Sequence, residues 1–180
     1  MIGVLVSGTG TNLQVLLDEG LPVVAVASNT STARALERAA EAGVPTAVFE
    51  LSAFPDRAAR DNAIADWLEQ HAVELVVCAG YMHLLEPTFL ARFPGRVVNV
   101  HPAPLPEFPG AHPLEDLLAA GAEQAAATVH YVDEGVDTGA VIASEPVAVR
   151  PGDSVEALRE RVHEAEHRLL PKVVRALCAR

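Results

Sequence analysis

A mostly parallel α/β sheet is the fold class this sequence predicts, and three observations carry that reading. Short apolar runs alternate with longer amphipathic ones, as in βαβ units that cover a parallel sheet with helices. A glycine turn, "VSGTGTNL" at 6–13, directly follows the first apolar run, where such sheets place a strand-to-helix connection. After residue 121 the pattern changes to two strand-like runs, "AAATVHYV" and "AVIASEPVAV", split by the turn-rich "DEGVDTG". The architecture expected is a Rossmann-like open sheet of about seven strands, with helices on both faces and a C-terminal hairpin plus long helix. At 180 residues the chain suits one domain, since ~100–200 residues is the usual size.

Strands are expected near 2–7, 22–28, 46–50, 74–79 and 96–101, each compact and rich in Val, Leu or Ala. A helix follows Asn12, and another over 33–42 stops at Gly43 and Pro45, residues that favour helix ends. A third spans 56–71, with Ile64, Trp67 and Leu68 on one face and Arg57, Arg60 and Asp61 on the others. Short helices are expected at 87–93 and 114–120, and a long one from Ser154, capped by Asp153 or Ser154. In open α/β sheets ligands sit outside the carboxyl ends of the strands, which is where Gly8, Gly80 and Asn99 fall.

The net charge is −11 and Lys172 is the single lysine. Phosphate backbones and anionic membranes are held by clustered Lys and Arg, so a nucleic-acid or membrane-surface role is excluded. The first apolar stretch, Ile2 to Val6, follows no basic region and is far short of the ~20 residues a membrane helix needs, so a cytoplasmic location is expected. Cys78 and Cys178 match no metal or redox spacing. His101, His112 and His130 are spaced unlike any zinc ligand set, so no metal is expected.

Three stretches carry candidate chemistry. The glycine loop presents Gly10, Thr11 and Asn12 at a helix N-terminus, where unpaired N–H groups and the positive end of the helix dipole favour an anion such as phosphate. The dinucleotide pattern fails, because Leu13 takes the third glycine position and the second strand ends at Ser28 and Asn29 rather than at an acid. A tight turn without ligand is the plainer alternative. In "NVHPAPLPEFPG", 99–110, strand alternation puts Asn99 and His101 on one side and Val98 and Val100 on the other. An amide that can donate to a developing oxyanion, beside an imidazole that can move a proton, suits acyl-type transfer; a capped turn with a satisfied histidine is the alternative. The loop "DEGVDTG" offers Asp137 to orient that imidazole, while Asp133 and Glu134 are expected to be solvated. His130 is a candidate second layer to this pair, His167 a packing or phosphate residue, and His71 and His112 surface residues.

Taken together, "SGTGTN", "AGYMHLLEPTFLARFPGRVVNVHPAPLPEFPG", "VHYVDEGVDTG" and "AEHRLLP" resemble the folate-dependent formyltransferases, in the branch that acts on glycinamide ribonucleotide, through essentially the whole chain. The resemblance implies a single formyltransferase domain over 1–180, with a phosphate-binding half near 1–100 and a folate and catalytic half near 101–180. It implies direct formyl transfer from 10-formyltetrahydrofolate to the substrate's primary amine, with Asn99, a cationic His101 and Asp137 as the catalytic trio. Gly10, Thr11, Asn12, His163, Glu164, Ala165 and Glu166 would hold the ribonucleotide. Arg57, Met82, His83, Leu84, Leu85, Asn99, Asp133, Glu134, Gly135, Val136 and Asp137 would hold the folate. Partners would be these small molecules, with the chain a monomer or homodimer. His83, Ala103, Pro104, Glu107 and His163 depart from the family's common residues, which bears on folate and phosphate binding rather than on the trio. The rival readings are another folate-dependent formyltransferase, a deformylase in which water attacks, and a non-catalytic nucleotide- or folate-binding module.

Overall fold

β-branched runs bounded by glycine and proline become strands, and the amphipathic runs between them become covering helices. The computed structural model describes residues 1–179. In chain order they form β1 (Ile2–Val6), α1 (Thr11–Asp18), β2 (Val23–Ser28), α2 (Arg34–Glu41), β3 (Thr46–Val48), a 3₁₀ turn (Leu51–Ala53), α3 (Arg57–Gln70), β4 (Leu75–Cys78), α4 (Pro87–Leu90), β5 (Val97–His101), α5 (Pro113–Ala119), β6 (Gln124–Tyr131), β7 (Val141–Ala148) and α6 (Val155–Cys178). One seven-stranded sheet results, ordered β3-β2-β1-β4-β5-β6-β7. β1 to β5 are parallel, and β6 runs antiparallel to both its neighbours. No helix among the described residues is long and apolar enough to cross a membrane.

The chain winds outward through β2 and β3, then returns to the other side of β1 with β4. Successive crossovers on opposite faces leave a crevice at that reversal, at the carboxyl ends of β1 and β4. There Ser7 N–H donates to the Gly80 carbonyl at 3.2 Å, fixing how far the two strand ends part. The core lies in two layers. Val4, Val6, Val98 and Val100 face α1, α2, α5 and α6. Leu5, Val76 and Val97 face Ile64 and Leu68 of α3 and Phe89 of α4. Val98 and Val100 thus sit opposite to Val97, the alternation that sends Asn99 and His101 to the α3 side.

Two details differ from the sequence expectation. β3 and α4 are shorter than expected, ending at Val48 and Leu90. Arg60 and Asp61 of α3 are fully buried, not solvated, because their charges neutralise each other inside the fold. Ser154 is the α6 cap, its hydroxyl accepting Ala157 N–H at 3.2 Å, while Asp153 accepts Arg150 N–H at 2.7 Å and pairs with Arg161. The helix continues past Pro171, whose buried ring contributes to the core.

Gly10 caps α1 in the left-handed region, φ 73°, and a Cβ there would lie 2.5 Å from the Ala35 Cβ of α2. At the same end, Asn12 Nδ2 donates to the Glu166 carboxylate of α6 at 2.9 Å, both residues being buried. Burial raises the Glu166 pKa, against the opposing effects of the Asn12 hydrogen bond and the His163 charge. A carboxyl raised by folding favours the folded state below its unfolded pKa, and that contribution is lost as pH rises through the folded value.

Two outcomes are expected. Gly10→Ala destabilises the fold by about 1–3 kcal/mol in denaturant titration, from overpacking and left-handed backbone. Glu166→Gln keeps an acceptor for Asn12 but removes the ionisation, so it melts above the wild type at neutral pH. The difference vanishes below the unfolded carboxylate range near pH 4, as calorimetric scans across pH would show.

Candidate active site

β5 ends by presenting Asn99 and His101 on one side, and the antiparallel register of β6 sets His130 opposite Asn99. The Asn99 amide nitrogen lies 3.1 Å from His130 Nε2. His130 Nδ1 lies 2.8 Å from the Tyr131 carbonyl, which only accepts, so Nδ1 carries the proton there. In the neutral ring this leaves the Nε2 lone pair for one Asn99 N–H. The other N–H of that amide faces Asp137 Oδ1 at 3.5 Å, at the limit of a hydrogen bond. His130, one of several histidines in the sequence, is therefore what sets the Asn99 amide's orientation.

Asp137 closes the group. Its Oδ2 accepts Gly110 N–H at 2.9 Å and lies 3.4 Å from His101 Nδ1, while His130 Nε2 is 3.5 Å from its Oδ1. Its backbone is left-handed, φ 53°, a conformation that Asp and Asn tolerate better than most residues. The loop is held tightly enough to impose it. Asp133 Oδ1 accepts Gly135 N–H at 3.0 Å and the Thr138 hydroxyl at 2.6 Å, so this acid, expected to be merely solvated, braces the turn. A Cβ on Gly139 would stand 1.8 Å from the Tyr131 carbonyl oxygen.

The proline segment folds back over the strand end. His101 Nε2 donates to the Phe108 carbonyl at 2.7 Å, and the Thr128 hydroxyl to the Ala103 carbonyl at 2.8 Å. Ala103 is fully buried, which accounts for the small residue there, and the Leu105–Pro106 peptide is cis. His101 is 4% exposed. Burial lowers its pKa more than the Phe108 carbonyl and Asp137 raise it, and His130 adds to the lowering, so burial works against the cationic form that the resemblance implies. For Asp137, burial alone would raise the pKa, but the neighbouring His130 imidazole, the Gly110 N–H and the nearby His101 together bring it below the usual carboxylate range.

A cleft opens above these groups. His83, Leu84 and Leu85 border one wall and Asp133, Glu134 and Gly135 the other, with Asn99, His130 and Asp137 between. Cys78 also borders it, its thiol pushed up to about 12 by burial and by Asp61. Arg57, Met82 and Val136 do not border the cleft. Arg57 donates to the Leu84 carbonyl at 3.0 Å and lies in a neighbouring groove with Phe54 and Glu86; Met82 and Val136 are exposed.

The glycine loop forms a second subsite. α1 has no side-chain cap, so its first N–H groups await an outside acceptor. The Asn12 Oδ1 atom is buried without a partner. Arg38, not singled out from the sequence, donates to the Thr9 carbonyl at 2.8 Å and steadies the loop. His163 Nε2 lies 3.8 Å from Glu166, and its ring stacks on His167 with centroids 6.2 Å apart. Of the other α6 candidates, Ala165 is packed in the core and Glu164 is exposed. His112, expected on the surface, begins α5 and is exposed. Among the described residues no cluster of His, Cys, Asp or Glu is arranged to hold a metal ion.

The chain has close counterparts in sequence and fold. The sequence profile described as "Formyl transferase" matches residues 1–174. The phosphoribosylglycinamide formyltransferase of Mycobacterium tuberculosis is 48% identical over 179 residues, covering 97% of this chain and 83% of that protein. The trifunctional purine biosynthetic protein adenosine-3 of Drosophila pseudoobscura pseudoobscura is 41% identical over 186 residues, but this chain spans only 14% of its length. The crystal structure of phosphoribosylglycinamide formyltransferase from Streptococcus pneumoniae TIGR4 superposes with a TM-score of 0.94 at 47% identity, covering 98% of this chain and 97% of that one. Matched in sequence over nearly its whole length and in fold from end to end, the chain belongs to the formyl transferase family.

Proposed function

We propose that the protein transfers the formyl group of 10-formyltetrahydrofolate to the amine of phosphoribosylglycinamide, a step of purine biosynthesis. The observation that carries the reading is the convergence of Asn99, His101 and Asp137 within 3.5 Å contacts at the end of β5, beside the cleft, in a chain of this family. Both substrates are small molecules, and the enzyme works in the cytoplasm as a monomer or homodimer.

The ribonucleotide phosphate takes the uncapped first turn of α1 at Gly10, Thr11 and Asn12, with His163 and Glu166 beside it on α6. Formyl-folate lies between the His83–Leu85 and Asp133–Asp137 walls. The amine nitrogen attacks the formyl carbon; a C–N bond forms and the carbonyl pair moves onto oxygen. One Asn99 N–H is committed to His130, and the other, held only at the limit of a hydrogen bond 3.5 Å from Asp137 Oδ1, turns to the oxyanion. His101 supplies the second stabilising contact. Its proton affinity, lowered by burial, rises as negative charge develops beside it, and Asp137 shares the resulting cation. It takes the proton the amine releases and returns it to the folate nitrogen as the C–N10 bond breaks, so no proton is gained or lost overall.

Incubation with both substrates yields formylated phosphoribosylglycinamide and tetrahydrofolate, followed by absorbance. Binding of both without turnover would leave only a binding module, and formate release without the amine would indicate a deformylase. Loss of one oxyanion donor typically costs ~2.7–4 kcal/mol of transition-state stabilisation, so Asn99→Ala loses at least about two orders of magnitude in kcat with little change in either KM. Asp137→Asn tolerates the same left-handed backbone and can still accept Gly110 N–H, so its melting temperature stays near wild type while kcat falls about a hundredfold. Near-normal turnover in either variant overturns the assignment of roles.

A further inference from the structure

The cleft-facing end of α3 holds a charge pair that the proposed reaction does not use. Arg60 and Asp61 are both fully buried, with Arg60 Nε and Nη2 donating to Asp61 Oδ1 at 2.8 and 2.6 Å. Mutual attraction in such a pair often fails to offset the loss of hydration, so what else the pair holds matters. The second Asp61 oxygen accepts Glu86 N–H at 2.8 Å. The remaining Arg60 nitrogen, Nη1, bonds His83 Nδ1. A guanidinium only donates, so Nδ1 is the unprotonated ring nitrogen. Burial, with the Arg60 and Arg57 charges, lowers the His83 pKa, which keeps that nitrogen available. His83 Nε2 lies 3.2 Å from the Asn29 amide, and Ser7 Oγ, 2.6 Å from that amide's oxygen, accepts Met82 N–H at 2.9 Å.

The segment from Met82 to Glu86 is therefore pinned along its length, at Met82 by Ser7, at His83 by Arg60, and at Glu86 by Asp61. We propose that Arg60 is a positioning residue for formyl-folate: through His83, and with Asp61, it fixes the segment 82–86, whose residues His83 to Leu85 wall the cleft. The proposal rests on the formyl-transfer reading above. Arg60 touches no reacting atom; it determines whether Leu84 and Leu85 stand where a folate ring meets them. It also accounts for a histidine at position 83, since a neutral ring accepts from a guanidinium that a second cation there would repel.

The test replaces both charges together, Arg60→Met with Asp61→Leu, because removing one alone strands the other in the core. On the full chain, the KM for 10-formyltetrahydrofolate rises about tenfold or more, and calorimetric binding of tetrahydrofolate weakens in parallel. The KM for phosphoribosylglycinamide and kcat stay within about threefold of wild type, a split that general loosening would not produce. His83→Ala reproduces the folate-side loss, and His83→Asn, which keeps an acceptor near Nδ1, recovers most of it. Unchanged tetrahydrofolate affinity in a folded double variant, or an equal rise in both KM values, overturns the proposal while leaving the reaction intact. If the double variant does not fold, the His83 pair decides: affinities equal to wild type in both overturn it. Failure of the wild type itself to bind tetrahydrofolate overturns the formyl-transfer reading, and the proposal with it.

Discussion

The Asp137 carboxylate ties three separate pieces of chain into one site. It receives the Gly110 N–H from the end of the proline segment, faces His101 from β5 and meets His130 from β6. β6 runs directly into the loop, but β5 and the proline segment are distant from it in sequence, and the carboxylate acts as a spatial reference for them. Holding it there requires a left-handed residue between a braced acid and a glycine pressed against the backbone. Local strain of this kind persists only where the surroundings over-determine it, and such positions cluster in functional sites.

Around that reference the sheet supplies rigidity and the switch point supplies space. Parallel strands β1, β4 and β5 deliver Ser7, Gly80 and Asn99 to one edge, and the reversal of winding between β1 and β4 keeps helices from covering it. The two subsites are built differently. The α1 end offers backbone donors with little net charge, which suits an acidic protein that must hold an anion without a basic surface. The β5–β6 end buries its titratable groups, so charge that forms during reaction meets fixed partners rather than water.

Much of this is legible in the residues alone. Apolar alternation marks the strands and their faces, and it puts Asn99 and His101 together on the side opposite Val98 and Val100, as the structure does. The hairpin and the long last helix are equally plain. What escapes is what depends on partners distant in sequence. Arg60 and Asp61 look like solvated charges, although Asp61 stands three, four and seven residues before Ile64, Ala65 and Leu68, the spacing of the buried face. Spacing was the better guide there, and residue type misled, because a buried charge is identified by its partner. The depressed proton affinity of His101 is likewise invisible in sequence, since it follows from the proline segment folding over the ring. Met82 and Val136, which the resemblance places at the folate, are exposed and lie outside the lining of the cleft.

The wall of the cleft contains a thiol that is chemically quiet. With its pKa pushed up to about 12, Cys78 has almost no thiolate at physiological pH, and it is the thiolate that attacks electrophiles and forms disulfides. Alkylating reagents therefore find the exposed Cys178 at the far end of α6, itself slowed by a raised pKa, and leave the cleft unmodified. A fluorophore or surface tether can be placed on the native chain without removing a cysteine, and inhibitors built around an acrylamide or similar warhead would gain nothing from the nearest sulfur.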